Sequence, residues 1–256
     1  MSILLQEPPM RSLAAQGSFL KLEFDQILTL RTSLVLDHPL NRFVGHDQTK
    51  LFRMFELYAH FVYGFSAYVC KLFLALHDDA MKAEIYENLA DEMGFHATDG
   101  LSWKNQHGEL YRQFIQSLRN TRVYHCLNLR ENASAIESKS AIIANRFYSA
   151  HAEIISDNND LQSFAAFSTI ECWVADQYAF WKSALQNLGD DCRPIDFRTI
   201  DLHCICDAAH SASLDRLIGE KTEILGIESY HHVKKGLIRG MLASEQLFAD
   251  IMKAIE

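Results

Sequence analysis

The scarcity of proline constrains this chain more than any other feature of its sequence. Only four prolines occur in 256 residues, and three of them come before residue 40. Proline interrupts an α-helix because it lacks the backbone N–H and its ring clashes with the preceding turn. Beyond residue 40, apolar residues recur mostly at helical spacing. The sequence therefore predicts an all-α fold built from long helices.

The helical pattern predicts one domain of about seven helices behind a short arm. Residues 1–17 are punctuated by proline and glycine, and we expect a loose N-terminal arm there. Residues 18–256 contain no internal repeat or low-complexity segment, which predicts a single domain. The second helix should begin at Asp47 or Thr49, either of which can cap it. The third should end at Gly94, and a loop should follow over residues 95–105.

Charge and composition argue against several classes of partner. The net charge is −9, and no basic stripe is present to neutralise phosphates, so we expect no nucleic-acid partner. The N-terminus lacks the pattern of a signal peptide, and no stretch approaches about 18 uninterrupted apolar residues. Six cysteines are scattered without a CxxC pair, which is typical of reduced thiols. The sequence predicts a cytoplasmic protein, with no membrane span, that acts on a small molecule.

The segment DLHCICDAAH, residues 201–210, combines helical spacing with metal-binding side chains. On a helix, Asp207 lies about 40° from His203, and His210 lies about 20° to the other side. Two imidazoles and a carboxylate on one helix face are a ligand set suited to iron or manganese, and less exclusively to zinc. A solvent-facing polar stripe would have the same spacing. The motif alone does not decide between the two.

Carboxylates in apolar helices favour the metal site. Glu171 lies in AAFSTIECWVADQYAFW, where an unpaired charge would cost several kcal/mol on burial. A metal ion would explain it, as would pairing with a buried Arg, Tyr or His. Glu92, near the end of the third helix, is the matching candidate, although an exposed acidic helix end would look the same. Its partner is either His96, four residues on, or His107, which opens the next helical pattern.

With these residues in place, the sequence resembles the haem-oxygenase-like diiron oxidases and oxygenases. That family includes the chlamydial protein associating with death domains, and amine- and fatty-acid-oxidising enzymes of natural-product pathways. Its pattern is a Glu near a Gly, a His before a Leu-aromatic pair, a Glu in a buried helix, and HxxxDxxH. The resemblance spans roughly residues 35–215. The matching residues are Glu92 with Gly94, His107 with Leu110-Tyr111, Glu171, and His203, Asp207 and His210.

The resemblance implies a seven-helix haem-oxygenase-like bundle that binds two Fe(II) ions and uses O2 as a co-substrate. The implied ligands are Glu92, His107, Glu171, His203, Asp207 and His210. His96 remains an alternative to His107, because the 15 residues from Glu92 to His107 exceed the family's usual spacing. An amino-acid- or amine-like substrate is implied, with N-oxygenation or oxidative C–C or C–N chemistry, in a biosynthetic pathway. The fold also suggests a homodimer paired through a long helix, whereas the sequence does not indicate the electron donor.

Two other functions are compatible with the same fold. One is a metal-free binding or regulatory protein, which would take up no iron and would not react with O2. The other is a cofactorless enzyme of the thiaminase type, which needs a nucleophile in the pocket. Cys172, next to Glu171, is the candidate for that role, and burial there would disfavour a reactive thiolate.

Overall fold

The computed structural model describes residues 26–27, 29–30, 33–45, 47–96, 100–127, 129 and 133–256, apart from the side chains at positions 96, 100, 101, 190 and 227. The predicted N-terminal arm, residues 1–17, lies outside the described residues. So does most of the helix predicted just before Pro39. The division into an arm and a single domain therefore stays a prediction.

The described part of the chain is almost entirely helical, as predicted. The helices are α1 (Pro39–Gly45), α2 (Gln48–Ala75), α3 (Asp79–Glu92), α4 (His107–Arg119), α5 (Arg122–Cys126), α6 (Ala133–Ser156), α7 (Asp160–Gln186), α8 (Arg198–Leu225) and α9 (Ile227–Ile255). Two 3₁₀ turns, Trp103–Asn105 and Gly189–Cys192, and two strands, β1 (Phe95–His96) and β2 (Gly100–Leu101), join them.

The predicted number of helices, seven, is wrong: nine α-helices have their bounds within the described residues, and residues 26–27, 29–30 and 33–36 are helical as well. Seven of the nine have at least 13 residues, and the additional two are short. Helix α1 is separate because Pro39 starts a new helix, where the imidazole Nδ1 of His38 accepts a hydrogen bond from Leu40 N at 3.1 Å. Helix α5 is separate because the Thr121 side chain caps it at Tyr124 N.

Helix α2 is a core helix, and its start was predicted correctly. Asp47 caps it by accepting a hydrogen bond from Lys50 N at 3.1 Å. Helix α2 packs against α4 and α6, and its buried side chains lie on most of its faces. By length and composition α2 would also qualify as a membrane span, but half of its most apolar window is buried inside the bundle. A buried core helix passes the same test.

Helices α7, α8 and α9 form the other half of the core. Every residue from 161 to 171 is buried, so the first part of α7 is enclosed on all sides. Helix α9 approaches α7 closely through Gly236 and Gly240. A Cβ atom at Gly236 would lie 2.1 Å from the Gln162 carbonyl oxygen, and one at Gly240 would lie 2.3 Å from Thr169 Oγ1. The absence of side chains at these glycines sets the distance between the two helices.

Candidate metal centre

Six metal-binding side chains converge between four helices in two groups of three. Within each group, one ligand atom from each residue lies within 4.8 Å of the others. The first group comprises Glu92 at the end of α3, His107 at the start of α4, and His203 on α8. The second group comprises Glu171 on α7 with Asp207 and His210 on α8. These are the six residues that the sequence predicted as ligands.

A tight reversal of the chain brings His107 to Glu92. Helix α3 ends at Glu92, and Gly94 then adopts a φ of +82°. A Cβ atom at Gly94 would lie 2.6 Å from Gln106 N, so only glycine allows this return. As a result His107 Nδ1 lies 2.8 Å from Glu92 Oε1. His96 lies on β1, beyond the helix, so the helical spacing that made it a candidate does not apply, and its side chain lies outside the described part.

The HxxxDxxH motif is divided between the two groups. His203 faces His107, and their ring centroids are 4.6 Å apart. Asp207 and His210, one and two turns further along α8, face Glu171 instead. The single facial trio expected from the spacing alone is therefore shared between two adjacent sites.

The first group is held in an arrangement that favours a neutral His203. Its Nδ1 donates to the Thr199 carbonyl oxygen at 2.6 Å. Its ring stacks on Tyr178, with centroids 4.8 Å apart. Burial, with a smaller contribution from the neighbouring His107, lowers the pKa of His203 to about 4. His203 is therefore an uncharged imidazole with its Nε2 lone pair available to a metal.

Glu92 and His107 form a buried ion pair. Burial opposes the charge on Glu92, but the imidazolium of His107 more than offsets this effect and lowers the pKa of Glu92. Burial likewise opposes the charge on His107, and Glu92 raises its pKa above the usual value. The pair thus keeps a carboxylate charge in the interior.

The second group concentrates negative charge where water is largely excluded. Burial and then the charges of Glu171 and Glu92 raise the pKa of Asp207 well above its usual value. Burial also raises the pKa of Glu171, and His210 only partly counteracts it. For His210, burial opposes protonation, but Glu171 and Asp91 raise its pKa to about 9. A cation in this group would relieve the repulsion between its carboxylates.

Two buried carboxylate oxygens support a bound cation. Among the described residues, nothing donates a hydrogen bond to Glu92 Oε2 or to Asp207 Oδ2, although both atoms are inaccessible to solvent. Leaving a buried carboxylate oxygen unsatisfied costs several kcal/mol, so such atoms require an explanation. The two oxygens belong to different groups. The donor sets, imidazole nitrogens and carboxylate oxygens, suit iron.

A cavity of about 20 Å³ lies between the two groups and the core. This volume is enough for one water-sized molecule. The cavity is lined by the metal-binding residues Glu92, Glu171, His203 and Asp207 and by the apolar or aromatic residues Tyr58, Phe61, Val62, Phe65, Ile170, Val174 and Tyr178. The lining contains carboxylates but no lysine or arginine. It therefore favours small neutral or cationic groups over anions.

Comparison with known protein families identifies the family of this chain. Residues 53–225, more than half of its length, match the family described as iron-containing redox enzymes. The chain belongs to the iron-containing redox enzyme family. The haem-oxygenase-like fold of the family agrees with the all-α structure and confirms the resemblance seen in the sequence. No curated protein matches the chain.

The sequence did not reveal two residues that touch the candidate ligands. Asp91 Oδ2 lies 3.1 Å from His210 Nε2. In the sequence it looks like an ordinary acidic residue at a helix end, and only its position next to Glu92 could have drawn attention to it. Tyr178, whose ring stacks on His203, lies one turn beyond Val174 on the same side of α7. The helical pattern of the sequence indicates that Tyr178 is buried, but not that it contacts a candidate ligand.

The rival nucleophile, Cys172, lies beside the site but does not line the cavity. Its thiol is partly buried and donates to the Thr169 carbonyl oxygen on its own helix at 3.2 Å. Glu171 faces the other candidate ligands, whereas the next residue on a helix points about 100° away. The position therefore gives little support to the thiaminase-type function.

Proposed function

We propose that the protein is a non-haem diiron enzyme that activates O2 and oxidises a small amino-acid- or amine-like substrate in a biosynthetic pathway. One observation carries the proposal. Two three-residue groups, with five of their six residues buried, lie side by side, and each contains a carboxylate oxygen that lacks a hydrogen-bond donor among the described residues. Family membership supports iron and redox chemistry, and the number of groups supports two ions.

The ligand set balances charge for two ferrous ions. Three carboxylates, from Glu92, Glu171 and Asp207, offset most of the four positive charges, and the three imidazoles add none when neutral. Three protein ligands for each ion leave positions open for O2 and substrate. When bound, the iron would supply the electrons and the coordination sites for O2 activation.

The protein itself would supply orientation, exclusion of water and control of protons. His203 is held neutral and stacked, so it can bind without first losing a proton. His210 and Asp207 hold protons more tightly than usual and would release them when iron binds. The aromatic and aliphatic lining of the cavity keeps bulk water from the reacting atoms.

The lining of the cavity supports an amine-like reacting group. Its charged side chains are carboxylates, and it includes no cationic residue to bind a substrate carboxylate. An amine nitrogen can approach this lining and accept oxygen, or its neighbouring C–H or C–C bond can be oxidised. A free carboxylate group in the cavity would meet repulsion from Glu92 and Glu171 only before the ions bind, because two Fe(II) ions more than neutralise the three carboxylates.

Anaerobic titration of the protein with Fe(II), followed by exposure to O2, tests the proposal. We expect about two irons per chain, consumption of O2, and a transient visible absorption band after mixing. The His203→Ala variant should lose the iron of the first group and the absorption. Absence of iron uptake and of O2 consumption, even with amine and amino-acid substrates, would overturn the proposal and favour the metal-free binding protein.

A further inference from the structure

We propose that Asp91 is a positioning residue that turns His210 so that Nδ1, and not Nε2, binds the ion of the second group. The inference rests on the proposed function, because it concerns how this chain prepares one of the two metal sites. Asp91 lies next to the candidate ligand Glu92 on α3, yet it belongs to neither group of three. Its role would be indirect, through the imidazole of His210.

The contacts around the His210 ring differ between its two nitrogens. Nε2 lies 3.1 Å from Asp91 Oδ2, which is hydrogen-bond distance. Nδ1 lies 3.7 Å from Glu171 Oε2 and 3.9 Å from Asp207 Oδ1, which is too long for a hydrogen bond. The hydrogen bond to Asp91 therefore orients the ring, and Nδ1 points into the carboxylate group at ion-pair distance from both oxygens.

His203, the other histidine of the motif, is hydrogen-bonded through Nδ1, whereas His210 is hydrogen-bonded through Nε2. His203 donates from Nδ1 to the Thr199 carbonyl oxygen at 2.6 Å, which leaves Nε2 for the metal. A hydrogen bond at one imidazole nitrogen fixes the tautomer and directs the other nitrogen to the ion. Two histidines on one helix would thus bind through different atoms, because a carbonyl of α8 holds one and a carboxylate of α3 holds the other.

The arrangement predicts that Asp91 affects one ion far more than the other. Loss of an outer hydrogen-bond partner of a metal ligand lowers metal affinity about 10- to 100-fold. In the Asp91→Ala variant the ring of His210 would be free to rotate, so the ion of the second group should bind that much more weakly. The ion of the first group, held by Glu92, His107 and His203, should keep its affinity.

Titration with Co(II), which gives visible bands without reacting with substrate, separates the two sites. We expect two binding events in the unaltered protein. In Asp91→Ala one event should weaken by about 10- to 100-fold, and in Asp91→Asn, whose amide oxygen can still accept from Nε2–H, the loss should be smaller. Glu87→Ala, which removes an exposed carboxylate one turn earlier on α3, serves as the matched control and should bind like the unaltered protein.

Each other outcome has a distinct meaning. If the unaltered protein binds no Co(II) and no Fe(II), the proposed function fails. If it binds two ions and Asp91→Ala also binds both unchanged, only the positioning role is overturned. Equal weakening of both ions would overturn it as well, because Asp91 would then support the end of α3 and not His210 in particular. Complete loss of one ion in Asp91→Asn would make Asp91 a ligand instead.

Discussion

Tyr178 lies flat against His203, with ring centroids 4.8 Å apart and planes inclined by 12°. Tyr178 also packs against Tyr58 on α2, with ring centroids 6.2 Å apart, so the stack contacts the opposite half of the core. His203 is thus restrained on two sides, by the Thr199 carbonyl at Nδ1 and by the tyrosine on its face. This restraint makes the first group a preorganised half-site.

The stacking contact can be tested separately from the hydroxyl group. We expect Tyr178→Phe to keep the stack and the metal affinity, because the ring that packs on His203 is unchanged. Tyr178→Leu removes the ring and should weaken the first ion by about tenfold. Co(II) titration measures the affinities, and urea unfolding checks that both variants fold. Equal affinities of the two variants would show that stacking does not position His203.

Metal affinity should rise with pH, because protons must leave the second group before an ion binds. His210, with a pKa of about 9, is protonated at neutral pH in the metal-free protein. Below that pH, each displaced proton adds about a tenfold gain in affinity per pH unit. Mn(II) titrations between about pH 6 and pH 8 should therefore show a steep increase. The His210→Gln variant provides the control. Its slope of log affinity against pH should be smaller by about one, because binding displaces one proton fewer.

Asp207 should lower the stability of the metal-free protein. The pKa of Asp207 in the folded protein is raised well above the ordinary 3.8. The free energy of unfolding of the metal-free protein should therefore fall progressively as pH rises above about 4. We expect Asp207→Asn to stabilise the metal-free protein at neutral pH by on the order of 1 kcal/mol. The difference in unfolding free energy between Asp207→Asn and the unaltered protein should grow between about pH 5 and pH 8. The variant should also lose binding of the second ion.

Chemical unfolding of the metal-free proteins at several pH values measures this difference. Glu223→Gln, an exposed carboxylate on the same helix, is the matched control and should change stability little at any pH. A constant difference between Asp207→Asn and the unaltered protein across the pH range would contradict the raised pKa of Asp207.

The close packing of α7 and α9 predicts opposite effects for two glycine substitutions. Gly236→Ala would place a methyl group 2.1 Å from the Gln162 carbonyl oxygen, which should cost about 1–3 kcal/mol. Gly219→Ala on α8 meets no atom within 4 Å and should stabilise by up to about 1 kcal/mol through helix propensity. Thermal unfolding of both variants gives the comparison. Similar stabilities would mean that α9 can move away from α7 at little cost.

Local features of the sequence predicted much of the fold and most of the candidate site. The Asp47 cap and the helix end before Gly94 follow from local hydrogen bonding and backbone freedom, and both are present. Glu171 stood out because a charge within an apolar helix is costly. The structure buries it as expected. The count of helices was wrong because short helices such as α5 depend on one cap residue within a pattern that otherwise reads as a loop.

Choices that depend on distant contacts could not be made from the sequence. The decision between His96 and His107 required the reversal at Gly94, since both spacings were compatible with the residues alone. Asp91 was overlooked because its partner, His210, lies 119 residues away. The electron donor, the substrate, the cytoplasmic location and the homodimer stay predictions.

By itself, the sequence determined the helical class of the protein, the buried carboxylates and the spacing of HxxxDxxH, because periodicity and local propensity act over one or two turns. Only the tertiary structure decided that His203 joins Glu92 and His107 while Asp207 and His210 join Glu171. It also decided that His203 is hydrogen-bonded through Nδ1 and His210 through Nε2. These features depend on how α3, α4 and α7 pack around α8, and the distances between helices are not encoded in the periodicity of any one of them.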